Sequence, residues 1–561
     1  MLETVPERGT RISVVRAGAF ALGLAGDERA PAEGSICESG GWAAVVVGTF
    51  DNLTELRAGT TPAEAVVEII RSRGPAGLNH LRGVFAAVVT DGERVWAARD
   101  HVGTETLYYH ASPGRLLLVS EPKQLKAVPG VRLEPDLEVV EAIFYGEEYA
   151  PHRSVYRGVD RLEMASYLEW ADSPVRVSRY WHPARLFETA RLTPAEIGER
   201  FDELMTQAVR RTLRGNDAIL LSGGIDSPAV AAYIGSRDRG PGERPVGAIS
   251  GVFPGHPSVD ERALVEMLAA EYGLELHTFA PPPLKLDGLA DWVRTFDGPW
   301  SAWHPGLTEL TYRFAAELGY SVLLTGFFAE NVADLSRGVV PYLVSRGRIR
   351  HALAYLGHRR AGGATRESSV RLLASTLYPR WTMAHRRRKR PVAIIPSWMD
   401  AKRLAERDAA HAVAPRAQWK SAQLGFLNGQ HPSMEAYAKL QARWGIRARH
   451  PWSDVDLWEF FVSLPAQDKH PDSRGKALIR NVLRGRVPDV ILDRGKVLFN
   501  AYFTDRIDYG SLRQWLNDPP VRLGGIDYPK LAERLAAEDL PMSEFMSVKD
   551  LATAHAFLAQ W

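Results

Sequence analysis

Short apolar runs separated by turns open the chain, and strands alternating with helices follow. Trp42–Phe50, Val84–Thr90, Val95–Arg99 and Leu116–Ser120 are rich in apolar and β-branched residues, and each reads as a strand. Asp91-Gly92 and Pro113-Gly114 fall between such runs, and Asp91-Gly92 predicts a hairpin. The segment up to Tyr180 therefore reads as packed sheets.

The pattern changes between Tyr180 and Pro194. Thr193-Pro194 opens a helix in which Ile197, Phe201, Leu204, Met205, Ala208 and Val209 recur at helical spacing. Ala218–Leu221, Val246–Val252, Leu276–Phe279 and Val322–Thr325 then read as strands. Pro228–Ser236, Ser258–Tyr272 and Leu307–Leu318 read as helices between them. This alternation predicts an α/β fold with a doubly wound parallel sheet. Beyond about residue 335 the pattern is mainly helical and carries a basic run, Arg386–Arg390.

The chain has 561 residues, enough for several domains. With 45% hydrophobic and 24% charged residues it is ordinary globular material. Its 69 Lys and Arg nearly balance 67 Asp and Glu, which gives no reason to expect a nucleic-acid partner. Cys37 is the one cysteine, so no internal disulfide framework exists. A spanning helix needs about 20 apolar residues, and none is found. Met1–Thr10 lacks the apolar core of a signal peptide. The expectation is a cytoplasmic protein without membrane contact. The 16 histidines show no metal-ligand spacing, and His304, His431 and His450 stand beside prolines.

The most informative string is Ala218–Ala232, in which an apolar strand ending at Leu221 runs into Ser222-Gly223-Gly224-Ile225-Asp226-Ser227 and then a helix. Gly223 and Gly224 allow backbone N–H groups to approach an anion closely. Ser222 and Ser227 can donate to phosphate oxygens, and Pro228 suits the first helical turn. Asp226 is an oxygen ligand for Mg²⁺ carried on a nucleotide. No Walker lysine is present. Two glycines alone would fit any strand-turn-helix with capping serines; the whole string is more specific.

Ser222–Ser227 resembles the pyrophosphate loop of the ATP pyrophosphatases, which cleave ATP between its α- and β-phosphates. Further strings resemble the asparagine synthetase superfamily in the expected order. Leu81–Tyr109 and Ser120–Lys123 look like its N-terminal glutaminase-type domain. Arg449–Pro465, Gly475–Arg480, Val487-Pro488 and Arg494–Lys496 look like its synthetase domain. The resemblance implies an Ntn-type αββα sandwich over residues 1–185 and an ATP-dependent ligase domain over 186–561. It also implies ATP and Mg²⁺ as cofactors. The nucleotide would lie on Leu221, Ser222, Gly223, Gly224, Asp226, Ser227, Ser250, Gly251, Thr325 and Gly326. Asp226 and Glu330 would bind the metal, and Lys476 and Arg480 would act in catalysis. Asp297 is a weaker site candidate with a turn as its equal rival, and Asp260-Glu261 reads as a helix start.

The departures narrow the reading. The family's glutaminase uses a cysteine directly after the initiator methionine; here Leu2 stands there, and Val47-Gly48-Thr49 replaces Asn-Gly-Glu. Glutamine hydrolysis is therefore expected to be lost. The family's Ser-Gly-Glu-Gly-x-Asp-Glu loop appears as Thr325–Asn331, with Phe327 in place of an acidic residue. The stretch from Glu330 to Pro451 is long for an asparagine synthetase. Tyr342, Tyr355, Trp381, Trp398, Trp419 and the basic run could hold a peptide there, or be buried aromatics beside a solvated face. Together with Pro396–Met399, these features resemble lasso-peptide cyclases. Such an enzyme adenylates an Asp or Glu side chain of a precursor peptide, and the peptide's N-terminal amine closes a macrolactam. A leader peptidase and a leader-binding protein are the implied partners. β-Lactam synthetases and other amide ligases, ammonia-dependent asparagine synthetases and a non-catalytic relative are the alternatives.

Overall fold

This computed structural model describes residues 1–26, 34–56, 59–172, 174–236, 244–282, 286, 288–299, 305–333, 336–361, 372, 395–410, 417–429, 431–495, 497, 502 and 507–561. His304, Trp381, Arg386–Arg390 and Lys496 lie outside the described residues.

Eleven strands build the first half: β1 Arg11–Ala17, β2 Phe20–Gly26, β3 Gly34–Ser39, β4 Trp42–Phe50, β5 Gly83–Thr90, β6 Val95–Arg99, β7 Tyr108–Ser112, β8 Arg115–Val119, β9 Asp160–Arg161, β10 Ser166–Trp170 and β11 Arg176–Arg179. Six of them form one antiparallel sheet in the order β11-β10-β6-β5-β4-β3. Alternation along β4 and β5 sends side chains to two faces. Ala44, Val46, Phe85 and Ala87 pack on Val66, Ile69 and Ile70 of the helix Pro62–Arg73. Val45, Val88 and Ala97 face Tyr109 and Leu118 of a second sheet, ordered β8-β7-β9. That sheet turns Tyr108 and Val119 toward Val139 and Val140 of the helix Leu137–Tyr145. The layers are thus helix, sheet, sheet, helix.

The second half carries β12 Asp217–Leu220, β13 Gly247–Gly251, β14 Glu275–Phe279, β15 Val322–Leu324 and β16 Arg447–Arg449. They form a five-stranded parallel sheet in the order β14-β13-β12-β15-β16. Ala218, Ile249 and Leu323 enter one core, and Ile219, Ala248, Val322 and Leu324 enter the other. Helices therefore cover both faces. The first of these cores also holds Tyr108 and Val139, so hydrophobic packing runs unbroken between the halves.

Buried charge accompanies that packing. Glu435 accepts from Tyr108 at 2.5 Å and pairs with Arg161 and Arg99 at 3.1 and 3.3 Å. Burial alone would raise its carboxyl; the two guanidinium groups outweigh that and hold it down to about 2. Asp297, with φ +52°, accepts from Lys123 N–H and Tyr156 O–H, each at 2.6 Å. It ties the two halves together.

Several expectations are corrected. The helix expected from Ser258 begins at Arg262, because Asp260 accepts the Arg262 N–H while Glu261 turns away. β16 lies outside the expected strands; its three residues, Arg447-Ala448-Arg449, are too few to show a period. Tyr342, Tyr355, Trp398 and Trp419 are buried. Trp419 and Tyr342 donate to Glu188, and Trp398 donates to Glu544. They are core residues and present no peptide-binding surface. Among the described residues no helix is long and apolar enough to cross a membrane.

Candidate active site

β12 and β15 are neighbours although the chain visits β13 and β14 between them. The crevice beyond their carboxyl ends is therefore a topological switch point, where open α/β sheets take ligands. Two loops meet there, one after each strand.

The first follows Leu221, which is buried and donates to Ile249 at 2.9 Å. Ser222 N–H donates to Ser227 Oγ at 3.0 Å, and the two hydroxyls lie 3.2 Å apart. Around Gly224 a side chain would meet only Ser222 Oγ, at 3.4 Å, so that face of the loop is open. Gly223 is crowded instead. Its N–H donates to Glu261 Oε2 at 2.8 Å, and Arg494 donates to its carbonyl at 3.2 Å while pairing with Glu261.

Asp226 begins the helix Asp226–Gly235. Both its carboxylate oxygens accept from Lys476 Nζ, at 2.6 and 2.7 Å, and its carbonyl accepts from Trp452 Nε1 at 3.1 Å. Lys476 has φ +57° and caps the helix Ala477–Val482, a conformation that turns its side chain inward, where it is 8% exposed. Arg480 donates to the carbonyls of Gly475, Leu492 and Arg494. It thus ties the Lys476 turn to the segment carrying Arg494.

The second loop is aromatic. Gly326 lies against the first loop: a Cβ there would sit 2.7 Å from Ser227 N and 2.8 Å from Asp226 Cβ. Thr325 Oγ1 bonds His450 Nδ1 at 2.7 Å and accepts from Phe327 N–H at 3.1 Å. Phe327 stacks on Tyr437 and on His450, both with centroids 5.7 Å away. Phe328, at φ +75°, meets Phe426 and His450 edge-on. Burial, aided by Arg449, pushes His450 down to about 3, so it is neutral. Sequence reading missed His450; the string quoted around it was the available signal.

The structure thus gathers Leu221, Ser222, Gly223, Gly224, Asp226, Ser227, Thr325, Gly326 and Lys476 at the switch point. Ser250 is buried and Gly251 ends β13, on the other side of β12 from β15. Glu330 is exposed on the short helix Ala329–Ala333 after β15. Among the described residues no three His, Cys, Asp or Glu side chains converge as a metal cage. Mg²⁺ carried on phosphates needs only one or two carboxylates; of the two expected for it, Asp226 is engaged by Lys476 through both oxygens and Glu330 is exposed.

The asparagine synthase family matches residues 200–539, and the glutamine amidotransferase domain matches 51–181. The chain belongs to the asparagine synthase family. This places it among ATP-dependent amide-forming ligases. It is 22% identical to asparagine synthetase [glutamine-hydrolyzing] 3 of Bacillus subtilis, over 75% of this chain and 67% of that protein. It is 29% identical to amidase chyE of Penicillium rubens and 30% identical to amidase chry2 of Gibberella zeae. Those alignments cover 48% and 35% of this chain, and 42% and 31% of the two amidases. Among solved structures, a B. subtilis glutamine phosphoribosylpyrophosphate amidotransferase aligns over 50% of this chain and 78% of its own at 13% identity; its TM-score of 0.23 carries no argument.

Cys37 is the chain's one cysteine. Cys37 lies on β3, and burial pushes its thiol up, away from the thiolate that a nucleophile requires.

Proposed function

We propose that the protein is an ATP-dependent macrolactam-forming ligase of lasso-peptide cyclase type. The observation that carries this reading is the Lys476–Asp226 pair set in the Ser222–Ser227 loop at the switch point. A peptide Asp or Glu carboxylate attacks the α-phosphorus of ATP. The bond to the β-phosphate breaks, and pyrophosphate leaves. Gly224 and the start of the following helix offer N–H groups to its oxygens, and Lys476 moves from Asp226 to the phosphates. Asp226 and Glu330 would hold Mg²⁺, which would supply neutralising charge. The peptide's N-terminal amine then attacks the acyl carbon, AMP leaves and the amine loses a proton. Holding amine and adenylate together is catalysis by proximity, and the aromatic second loop keeps water from the adenylate.

Leu2, at the position of the family's nucleophilic cysteine, argues against ammonia from glutamine as the nucleophile. Phe327 and Tyr437, in place of an acidic wall, suit an acceptor without a free α-ammonium beside the reacting carboxyl. The freed N-terminal amine requires a leader peptidase to act first. A second reading, amide formation on a small carboxylic acid, rests on membership of the asparagine synthase family.

Mass spectrometry after incubation with ATP and Mg²⁺ separates them. Loss of one water from a peptide with an internal carboxylate, with AMP and pyrophosphate released, supports the macrolactam. Conversion of a small acid with peptides untouched supports the second reading. Absence of ATP turnover with either substrate class overturns both.

A further inference from the structure

We propose that Glu261 and Arg494 form a displaceable latch on the nucleotide loop, an inference that rests on the nucleotide reading of that loop. Glu261 stands at a helix start, where its carboxylate would ordinarily serve its own first turn. It reaches instead to Gly223, whose N–H it accepts at 2.8 Å, and is 6% exposed there. Arg494 completes the contact by pairing with Glu261 and donating to the Gly223 carbonyl at 3.2 Å.

The latch fills the space where a side chain on Gly223 would go: a Cβ there would sit 2.7 Å from Arg494 Nη1 and 2.9 Å from Glu261 Cδ, whereas among the described residues one on Gly224 would meet Ser222 Oγ alone, at 3.4 Å. The two glycines of the loop therefore do different work. Gly224 leaves room for a ligand, and Gly223 makes room for the latch.

A carboxylate on a loop N–H occupies the kind of place that a phosphate oxygen takes in an anion-binding turn. When a polyphosphate enters, Glu261 and the phosphate are like charges competing for one donor. Glu261 leaves, and Arg494 loses its counter-charge and turns to the phosphate. Arg480 joins Arg494's carbonyl to the Gly475–Lys476 turn, so release of the latch is tied to the move of Lys476 off Asp226. Glu261 and Arg494 are positioning residues for the free loop, and Arg494 becomes a phosphate ligand in the loaded one.

The test is calorimetry of full-length protein with Mg²⁺-pyrophosphate and, separately, with AMP. Glu261→Gln keeps an acceptor for the Gly223 N–H but removes the competing charge. It is expected to bind pyrophosphate about tenfold tighter than the parent, the worth of one charge-assisted hydrogen bond, with AMP little changed. Arg494→Gln is expected to bind pyrophosphate about tenfold more weakly. A merely structural Glu261 gives the opposite sign: weaker binding of both ligands in Glu261→Gln, and that result, or equal binding, overturns the latch. If the parent protein binds neither ligand, the nucleotide reading itself falls, and the latch with it. Hydrogen exchange on the unaltered protein provides the check that needs no variant. Pyrophosphate should slow exchange in 222–227 and speed it in 258–264; slowing in both overturns the proposal.

Discussion

The two loops at the switch point are made of opposite materials. Ser222–Ser227 is held by charges brought from other segments: Lys476 on Asp226, and Glu261 with Arg494 around Gly223. Thr325–Phe328 is held by ring stacking, with Phe327 on Tyr437 and His450. A loop balanced by charge responds to the charge of what enters it. A loop balanced by packing resists any charge placed in it. Under the proposed function, the contrast would let one crevice admit a polyphosphate on its charged side and shelter an acyl adenylate on its aromatic side.

The largest expected effect breaks the polar side. Asp226→Ala should lower pyrophosphate release roughly 10²- to 10³-fold, the scale for losing one preorganised electrostatic group. A steady-state pyrophosphate assay checks it, and unchanged turnover removes the site. Next, Phe327→Glu restores an acidic residue to the aromatic side. It should destabilise the fold by about 2 kcal/mol, because the carboxylate replaces a ring stacked on Tyr437 and His450, and urea unfolding measures the loss.

Acid sharpens the same contrast. His450 is neutral in the fold, with its pKa depressed from 6.5 to about 3. The unfolded chain binds the extra proton across that window, so stability is full above about pH 6.5 and falls as pH drops toward 3. The slope per histidine is at most about 1.4 kcal/mol per pH unit. His101, also pushed down to about 3 by burial and by Arg82, adds a parallel slope. The difference between the parent and His450→Gln in pH-dependent unfolding isolates His450. The smallest effect is Thr325→Val, about 1 kcal/mol, from losing the hydroxyl's bonds to His450 and the Phe327 N–H; thermal unfolding reads it.

Much of this architecture is legible along the chain. The period of Ile197–Val209 marks its helix, and Thr193 with Glu196 forms the capping box that starts it. The Ser222–Ser227 string announces its turn because glycines and hydroxyl residues stand between an apolar strand and an apolar helix. β16 is illegible, because three residues are too few for a period and its partner β15 lies far upstream. Glu261 misleads for a different reason. Asp-Glu before an apolar helix is a capping signature whether or not the second carboxylate serves the cap, and here it is drawn to an N–H distant in sequence.

By itself the sequence determined the order of many elements, the parallel-sheet class and the turn that can face an anion, because these follow from local periodicity and backbone sterics; the αββα class followed from the family resemblance. Only the tertiary structure decided what surrounds that turn. Lys476 reaches Asp226 across 250 residues, and His450 reaches Thr325 across 125. Such contacts depend on how strands are ordered in the sheet and how loops fall at its edge, and no spacing along the chain encodes that distance. The chemistry of each residue is written in its type; its partner is chosen by the burial of both.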